Sequence, residues 1–252
     1  MKNIVYKEDD IKEYFSKDRI KWEQFYESEK KVIQKTLHGL DNRLDTVSVL
    51  DIGCACGGLG VVLKEKFNIS NYTGIEINHQ AAKYAKQINP DFQIIEGDFL
   101  EVSKKVKDNY YDLAFSLSCI DWQNNFNLML YELFAKVKPG GNLLISLRLT
   151  TEKSINDINQ SYQYINYDGN KIGERAPYVI FNINDLLENL KKLNINDLYV
   201  YGYNGRPSET SVTPYKELCF CVFSIKKSLN DMKNNKLKME IDLPNNIVNE
   251  IK

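Results

Sequence analysis

The sequence predicts an α/β protein in which a mostly parallel sheet is covered by helices on both faces. Apolar runs of strand length alternate with amphipathic stretches of helix length, and this order produces parallel strands joined by helices. The first apolar run passes directly into a glycine-rich turn at residues 51–60. Near the end of the chain, two apolar runs follow each other across a polar loop, which predicts an antiparallel hairpin. The 252 residues, 43% of them hydrophobic, are enough for one substantial core.

The glycine-rich turn predicts a site for a small charged nucleoside. Residues 49–60 read as a strand, a turn and the start of a helix, with Asp51 where the strand ends. Gly53 and Gly57 let the backbone approach a ligand, and the helix that follows offers unpaired N–H groups. A dinucleotide site needs glycine at the position of Ala55. An acid here repels a pyrophosphate and attracts a cation, so the turn favours S-adenosylmethionine (SAM), which carries ammonium and sulfonium groups, over NAD.

Four more predicted strands end in residues that can take part in the same site. The second to fifth strands are predicted at residues 72–77, 92–99, 110–118 and 137–146. The second ends in Glu76, where an acid can accept hydrogen bonds from both hydroxyls of a ribose. The carboxyl ends of the strands are where ligands bind in open α/β sheets, so we expect these residues to surround one ligand.

In their order and spacing, these motifs resemble those of the Rossmann-like (class I) SAM-dependent methyltransferases, over about residues 44–225. The resemblance implies a seven-stranded, mostly parallel sheet whose last strand is antiparallel, with a helical cap at the amino terminus. It places Asp98 against the adenine amino group, with Phe99 and Ile77 on the two faces of the base. The cofactor-binding residues that it implies are Asp51, Gly53, Cys54, Gly57, Glu76, Ile77, Asp98, Phe99 and Ser116.

The chain is predicted to form a single methyltransferase domain at residues 1–227, followed by an extension at residues 228–252. Residues 1–43 are the helical cap and residues 44–227 the Rossmann-like core. Within the core, residues 150–180 form an insertion on the substrate side. Long irregular insertions in compact domains tend to be functional. For the extension, disorder and a short added strand and helix both stay open.

The other predicted elements lie at the two ends of the chain. Two helices are expected between residues 9 and 39, the second capped by Asp18 and ending at His38. Apolar periodicity predicts further helices at residues 126–137 and 182–193, and the final hairpin is predicted at residues 197–203 and 217–225.

Charge and composition argue against several kinds of partner. Lys and Arg total 33 against 34 Asp and Glu, for a net charge of −1, and there is no basic run, so nucleic acid is not expected as a substrate. No apolar run is long enough to span a bilayer and no leader pattern is found, which predicts a soluble cytoplasmic protein with no membrane partner. The five cysteines and two histidines lack the spacing of a zinc site, and we expect neither a disulfide nor a metal.

Two candidate catalytic residues, Asp121 and Tyr14, follow from the chemistry that the resemblance implies. Methyl transfer from a sulfonium is an in-line displacement, so the protein has to align a nucleophile and exclude water. The near-absence of histidine favours an amine acceptor over a sugar hydroxyl, which usually needs a stronger base. Asp121 lies just beyond the fourth strand, and Trp122 beside it can form a wall against a cationic centre. Equally, Asp121 can cap a helix and Trp122 can belong to the core.

The acceptor is expected to be a small molecule, and a phosphorylated amine is the favoured form. The candidate substrate-binding residues are Trp122, Tyr26, Arg148, Arg175, Tyr178 and Arg206. Guanidinium and phenol groups together bind phosphate or carboxylate through charge-assisted bonds. The chain is also similar to bacterial methyltransferases encoded with capsule or surface-polysaccharide genes, some of which resemble phosphoethanolamine N-methyltransferases. O-methylation of a sugar or sugar nucleotide, a non-catalytic SAM-binding subunit and a homodimer stay open.

Overall fold

The computed structural model describes residues 16–17, 19–40, 44–165, 169–229 and 237–252, and a large mixed sheet lies at its centre. The strands are β1 (Ser48–Ile52), β2 (Asn71–Glu76), β3 (Gln93–Glu96), β4 (Tyr111–Ser116), β5 (Val137–Thr150), β6 (Tyr162–Ile165), β7 (Glu174–Pro177), β8 (Phe181–Asn182), β9 (Ile195–Gly205), β10 (Ser211–Val212), β11 (Leu218–Lys227) and β12 (Lys238–Asp242). The helices are α1 (Glu27–His38), α2 (Gly58–Phe67), α3 (His79–Ile88), α4 (Phe99–Val102), α5 (Phe126–Lys136), α6 (Ile183–Leu190) and α7 (Asn245–Val248).

The main sheet confirms the predicted architecture and extends it. Within the described residues, its strands run in the order β12-β9-β11-β5-β4-β1-β2-β3, with the two-residue β8 paired to β5. Neighbours from β5 to β3 are parallel, whereas β11 is antiparallel to both β5 and β9. The seven predicted strands are therefore present, with β11 as the antiparallel last strand. The prediction misses β8. In the extension, β12 and α7 are the short strand and helix that the sequence left open as one of two alternatives. Apolar Met239 and Ile241 alternate with polar residues along β12, an exposed edge strand in which only Ile241 is half-buried.

Helices cover both faces of the sheet, as predicted, and an apolar cluster fills each face. Val49 of β1 belongs to the cluster under α1, α2 and α3, whereas its neighbour Leu50 belongs to the cluster under α5 and α6. Successive residues of a strand point to opposite faces, so a strand that is covered on both sides is apolar throughout. Ser48 and Asp51 are the two polar exceptions in β1, and Asp51 lies between Leu50 and Ile52.

The amino-terminal helix begins later than the sequence predicts. A 3₁₀ turn at Trp22–Gln24 precedes α1, and extended Tyr26 is the N-cap residue. The N–H of Tyr26 donates to Glu29 Oε2 at 2.9 Å, which satisfies one donor at the start of the helix. The helix is thus capped at Tyr26 and not at Asp18. Residues 1–15 and Asp18 lie outside the described residues, and the first predicted helix stays a prediction.

The insertion predicted to be irregular contains two strands. β6 pairs antiparallel with β7 and with β10, and the three form a second, small sheet. β10 comes from the loop predicted between the hairpin strands, where Ser211 pairs with Gln163. The residues of β6 are all half-buried, so they show no alternation, and pairing across distant segments leaves no local pattern.

The described residues also bear on disulfides, metal sites and membrane-spanning helices. All five cysteines are free thiols. In the described ranges, no three His, Cys, Asp or Glu side chains are grouped as a metal ion would require. None of the helices seen in those ranges combines the length and the apolar character needed to cross a bilayer.

Candidate active site

A cavity of about 810 Å³ opens at the carboxyl ends of β1, β2 and β4. Its volume lies in the upper part of the range for small-molecule sites, roughly 300–1,000 Å³. The predicted site residues that line it are Asp51, Gly53, Cys54, Glu76, Ile77, Asp98, Phe99, Tyr26, Asp121, Trp122, Arg148, Tyr178 and Arg206. The small sheet and the loop after β9 add Gln163, Tyr164, Ser208 and Thr210. The structure therefore brings most of the predicted cofactor and acceptor residues into one space.

Backbone hydrogen bonds attach the turn after β1 to β2. The N–H groups of Gly53 and Cys54 both donate to the carbonyl oxygen of Ile75, at 2.8 and 3.1 Å. Gly53 and Ala55 have left-handed backbones, with φ of +72° and +48°. A Cβ atom on Gly53 would lie 2.7 Å from Cys119 Sγ, so a side chain there would collide with the end of β4. The turn consequently needs glycine at position 53 for both its φ angle and its contacts.

Asp51 is a buried acid at the tip of β1, with 5% of its surface exposed. Its Oδ2 accepts a hydrogen bond from the Tyr72 hydroxyl at 2.5 Å. Burial raises the pKa of Asp51 to about 7, although the Tyr72 hydrogen bond and the charge of Arg19 oppose the rise. Near neutral pH this side chain is therefore poised between acid and carboxylate, and a cationic group of a ligand would favour the carboxylate.

Glu76 is a second buried acid, at the tip of β2. Its Oε1 accepts the N–H of Asn78 at 2.7 Å and its Oε2 the N–H of Ala55 at 2.8 Å. Burial raises the pKa of Glu76, and these N–H donors oppose the rise. A carboxylate oxygen has two acceptor positions, so both oxygens can still receive the hydroxyls of a ribose.

Three of the predicted cofactor residues also have a structural task. Asp98 lines the cavity and is the N-cap of α4, where its Oδ1 accepts the N–H of Leu100 at 3.1 Å. Gly57, with φ of +80°, is the N-cap residue of α2 and lies behind the cavity wall. Ser116 is fully buried, and its Oγ accepts the N–H of Ile120 at 3.1 Å. Gly57 and Ser116 therefore shape the turns around the cavity without lining it.

A buried ion pair joins the turn after β4 to the end of β5. Asp121 Oδ2 lies 3.1 Å from Arg148 Nη1, and this nitrogen also donates to the Asp121 carbonyl oxygen at 3.0 Å. The guanidinium group lies over the ring of Tyr178, 3.6 Å from its centroid, and 5.1 Å from that of Trp122. Burial raises the pKa of Asp121, and the charge of Arg148 opposes this rise. Asp121 neutralises Arg148, so Arg148 is not the independent phosphate ligand that the sequence suggests.

Two polar atoms of this cluster remain available to a ligand. Asp121 Oδ1 and Trp122 Nε1 are buried, and neither has a hydrogen-bond partner among the residues that the structure describes. Both side chains line the cavity. Buried polar atoms are nearly always hydrogen-bonded in native proteins, so an acceptor oxygen and an adjacent N–H donor at a cavity wall suit a bound molecule.

The remaining predicted acceptor residues are divided between the cavity and the surface. Arg206 and Tyr26 line the cavity, and Tyr26 is 56% exposed. Arg175 of β7 is exposed and packs over the ring of Tyr162, 4.8 Å from its centroid. It does not line the cavity, because its side chain lies along the small sheet. Tyr14 lies outside the described residues.

The structure also adds residues to the site that sequence reasoning missed. Arg19 Nη2 lies 3.1 Å from Ser118 Oγ and 3.2 Å from Glu29 Oε1, which ties the amino-terminal segment to the end of β4. Glu29 is 1% exposed, although it reads as part of the polar face of a helix. Tyr72 reads as an ordinary strand residue. In the sequence, the position of Arg19 next to an aromatic segment is a weak indication that this residue belongs to the site.

Comparison with known proteins identifies the domain. Residues 50–145 match the family described as "Methyltransferase domain". The chain is 31% identical over 123 residues to the malonyl-[acyl-carrier protein] O-methyltransferase of Priestia megaterium, covering 45% of this chain and 44% of that protein. It is 25% identical over 125 residues to the ubiquinone biosynthesis O-methyltransferase of Rickettsia akari, covering 49% of each. The chain thus spans about half the length of the curated relatives that it matches.

A solved structure shares the fold over a longer stretch. Phosphoethanolamine N-methyltransferase 2 of Haemonchus contortus, in complex with phosphomonomethylethanolamine and S-adenosylhomocysteine, aligns with a TM-score of 0.52 at 13% identity. The alignment covers 79% of this chain and 53% of that one. Residues 50–145 thus match a methyltransferase domain, within a Rossmann-like fold that the chain shares with this SAH-bound enzyme.

The cavity of this methyltransferase domain fits SAM. Two buried acids, Asp51 and Glu76, reach it from neighbouring strand tips and suit an ammonium group and a pair of ribose hydroxyls. Gly53 leaves bare backbone where a side chain would meet Cys119. In the described residues, the lining therefore has the charge and the open backbone that a cationic nucleoside requires.

Proposed function

We propose that this chain transfers the methyl group of SAM to the amine of a small molecule. The observation that carries the proposal is that Asp121, with an oxygen left unpartnered by the described residues, lines the same cavity as Asp51 and Glu76. Bound SAM supplies an electrophilic methyl group. The protein has to hold the acceptor in line with that group and keep water out.

In this proposal the cofactor residues have separate tasks. Asp51 and the backbone at Gly53 receive the ammonium end of the cofactor, and Glu76 receives the ribose hydroxyls. Asp98, Phe99 and Ile77 surround the adenine. The support is their common position on the wall of one cavity, at the ends of β1, β2 and β3.

Asp121 is the residue that we propose to contact the reacting amine. Burial raises the pKa of Asp121, which makes its carboxylate a better proton acceptor than an exposed one. Arg148 occupies Oδ2 and leaves Oδ1 for the acceptor. Trp122 Nε1 offers a donor beside it. Tyr14 stays a second proposed catalytic residue on sequence grounds.

The lining of the cavity supports transfer to nitrogen. His38 is the last residue of α1. His79 is the first residue of α3, and its Nδ1 lies 2.9 Å from Glu96. Neither histidine is among the described residues that line the cavity. An amine needs only to lose a proton to become nucleophilic, whereas a hydroxyl needs a stronger base in the transition state.

We further propose that the acceptor is a small phosphorylated amine, of the ethanolamine phosphate kind used in bacterial capsule and surface-polysaccharide biosynthesis. Arg206 is the support within the site, because it lines the cavity and has no ion pair like that of Arg148 with any residue that the structure describes. The hydroxyls of Ser208 and Thr210 line the cavity close to it in the chain. Arginine and hydroxyl donors together suit a phosphate.

O-methylation is the second candidate. Both curated relatives above are named O-methyltransferases, and each match covers about half of this chain. A carboxyl or hydroxyl acceptor would use the same cofactor site, with a different contact at Asp121.

The test is release of S-adenosylhomocysteine (SAH) by the purified chain with SAM and one acceptor at a time: ethanolamine phosphate, ethanolamine, UDP-glucose or malonate. We expect release with an amine, and about a hundredfold slower turnover in Asp121→Asn because proton acceptance is lost. Asp112→Asn is the matched control. Asp112 is the second residue of β4, the strand that precedes the turn with Asp121; it pairs with Lys138 and is not among the residues that line the cavity. Release with UDP-glucose or malonate alone would replace the proposal with O-methylation. SAH binding without release would instead favour a non-catalytic SAM-binding subunit.

A further inference from the structure

A buried hydrogen bond lies directly behind the cofactor cavity. The Tyr72 hydroxyl donates to Asp51 Oδ2 at 2.5 Å, and the two residues are 3% and 5% exposed. β1 and β2 pair in parallel so that Asp51 is opposite Gly74, with Tyr72 two residues earlier. Tyr72 and Asp51 therefore project from the same face of the sheet, and the phenol reaches the carboxylate diagonally.

A glycine in the next helix makes room for the tyrosine ring. A Cβ atom on Gly60 of α2 would lie 3.0 Å from Tyr72 Cζ and 2.7 Å from Phe92 Cε2. The two rings pack against each other with centroids 4.8 Å apart. The last glycine of the glycine-rich segment thus serves Tyr72 and not the ligand directly, since Gly60 does not line the cavity. Gly60, Tyr72 and Asp51 form one packed series that ends at the cavity wall.

The charge of Asp51 depends on its neighbours on every side. Glu76 of β2 and Glu29 of α1 disfavour a second negative charge, whereas Arg19 and the Tyr72 hydroxyl favour it. Burial has the largest effect and opposes the charge. Tyr72 is the one of these groups that contacts the carboxylate through a hydrogen bond. A donor to a buried carboxylate stabilises the ionised form.

We propose that Tyr72 is a positioning residue for the cofactor site, whose hydroxyl holds the Asp51 carboxylate in place to receive the ammonium group of SAM. This inference rests on the proposed function, because it assigns that ammonium group to Asp51. Tyr72 does not line the cavity, so it acts on the ligand indirectly, through Asp51; its hydroxyl also interacts with the thiol of Cys54, which does line the cavity. Its loss would change how the affinity depends on pH, which a purely structural role would not do.

The test is calorimetric titration with SAH, which has the same ammonium group, between about pH 5.5 and pH 8.5. The wild-type affinity should fall as the pH drops through about 7, because protonated Asp51 cannot pair with a cation. Tyr72→Phe removes a donor to the carboxylate, so the midpoint should move up by about one pH unit, with about tenfold weaker binding near neutral pH. Gly60→Ala should shift the midpoint in the same direction by displacing the ring.

Tyr111→Phe is the matched control. Tyr111 is also a buried tyrosine, 4% exposed. It is the first residue of β4, at the amino ends of the parallel strands, whereas Asp51 lies near their carboxyl ends, and its hydroxyl is near Thr73. This variant should keep the wild-type midpoint. A midpoint unchanged in Tyr72→Phe, or a wild-type affinity that is flat across the range, overturns the inference and leaves the proposed function standing. If Tyr72→Phe does not fold, Gly60→Ala decides the matter: a midpoint that moves up supports the inference, and an unchanged midpoint overturns it. No SAH binding by the wild type overturns the proposed function itself.

Discussion

At the scale of single residues, the site is built on backbone that most side chains avoid. Gly53, Ala55 and Ser118 all have left-handed φ angles, and they lie at the ends of β1 and β4 around the cavity. A non-glycine residue in this region costs roughly 1–2 kcal/mol, which other contacts have to offset. For Ala55 one such contact is visible, since its N–H donates to Glu76. This hydrogen bond therefore links the strained turn at Ala55 to Glu76, the proposed ribose ligand.

The buried carboxylate of Asp51 lowers the free energy of unfolding of the ligand-free protein at neutral pH. Its pKa in the folded protein, about 7, is above the ordinary value of 3.8, so the folded state holds its proton more tightly than the unfolded state does. The contribution of Asp51 to the stability of the ligand-free protein therefore declines as the pH rises from about 4 to about 7, and this loss persists above that. A bound ammonium group reverses this by stabilising the carboxylate.

Gly53→Ala is expected to destabilise the protein by about 2–5 kcal/mol in urea unfolding. The reasons are the left-handed backbone and a Cβ atom 2.7 Å from Cys119 Sγ. Gly169→Ala is the control, because Gly169 has the same φ of +72° with nothing within 4 Å of the added atom. It should cost only about 1 kcal/mol. Equal losses in the two variants would show that the contact with Cys119 is unimportant.

At the scale of elements, one ion pair connects three segments around the acceptor side. The 3₁₀ turn at Ile120–Trp122 holds Asp121, the end of β5 holds Arg148, and the N–H of Val179 donates to the Asp121 carbonyl oxygen at 3.0 Å. Tyr178 covers the guanidinium group. The turn that carries the proposed catalytic residue is thus oriented by the segment leading into α6.

Arg148→Met is expected to lower the free energy of unfolding by about 3–5 kcal/mol, because it leaves Asp121 buried without its partner. Chemical denaturation measures the change. Arg175→Met is the control, since Arg175 also packs over a tyrosine ring but is exposed, and it should cost less than about 1 kcal/mol. The two variants should differ clearly, and a similar small loss in both would argue that Asp121 is held by its backbone contacts alone.

At the scale of the whole molecule, the cavity depends on segments far apart in the chain. The main sheet supplies the cofactor acids, α1 and the residues before it supply Tyr26 and Arg19, and the small sheet supplies Gln163. A ligand that contacts all three of these parts binds the folded chain and not the unfolded one. Binding should therefore stabilise the molecule as a unit.

SAH at about one hundred times its dissociation constant should raise the melting temperature by about 5–10 °C, since it adds about 2.7 kcal/mol to a domain of this size. NAD at the same concentration should leave the melting temperature unchanged, because Ala55 stands where a dinucleotide site needs glycine. Differential scanning calorimetry gives both values. A larger shift with NAD than with SAH would contradict the SAM site.

The sequence by itself determined the class of fold and the cofactor end of the site. Apolar periodicity and turn residues act locally, so seven strands and the glycine turn with Asp51 and Glu76 could be predicted from neighbouring residues alone. The sequence left a strand in the extension open without deciding it. The small sheet could not be predicted, because its strands are short and pair with distant segments, such as Ser211 with Gln163.

Only the tertiary structure decided how the charged side chains are used. Arg148 and Arg175 are alike in sequence, yet one is neutralised by Asp121 in the interior and the other lies on the surface. Tyr72 reads as a strand residue until the register of β1 and β2 brings its hydroxyl to Asp51. Periodicity records which side of an element is buried. The partner of a buried charge depends on which elements become neighbours, and only long-range packing determines that.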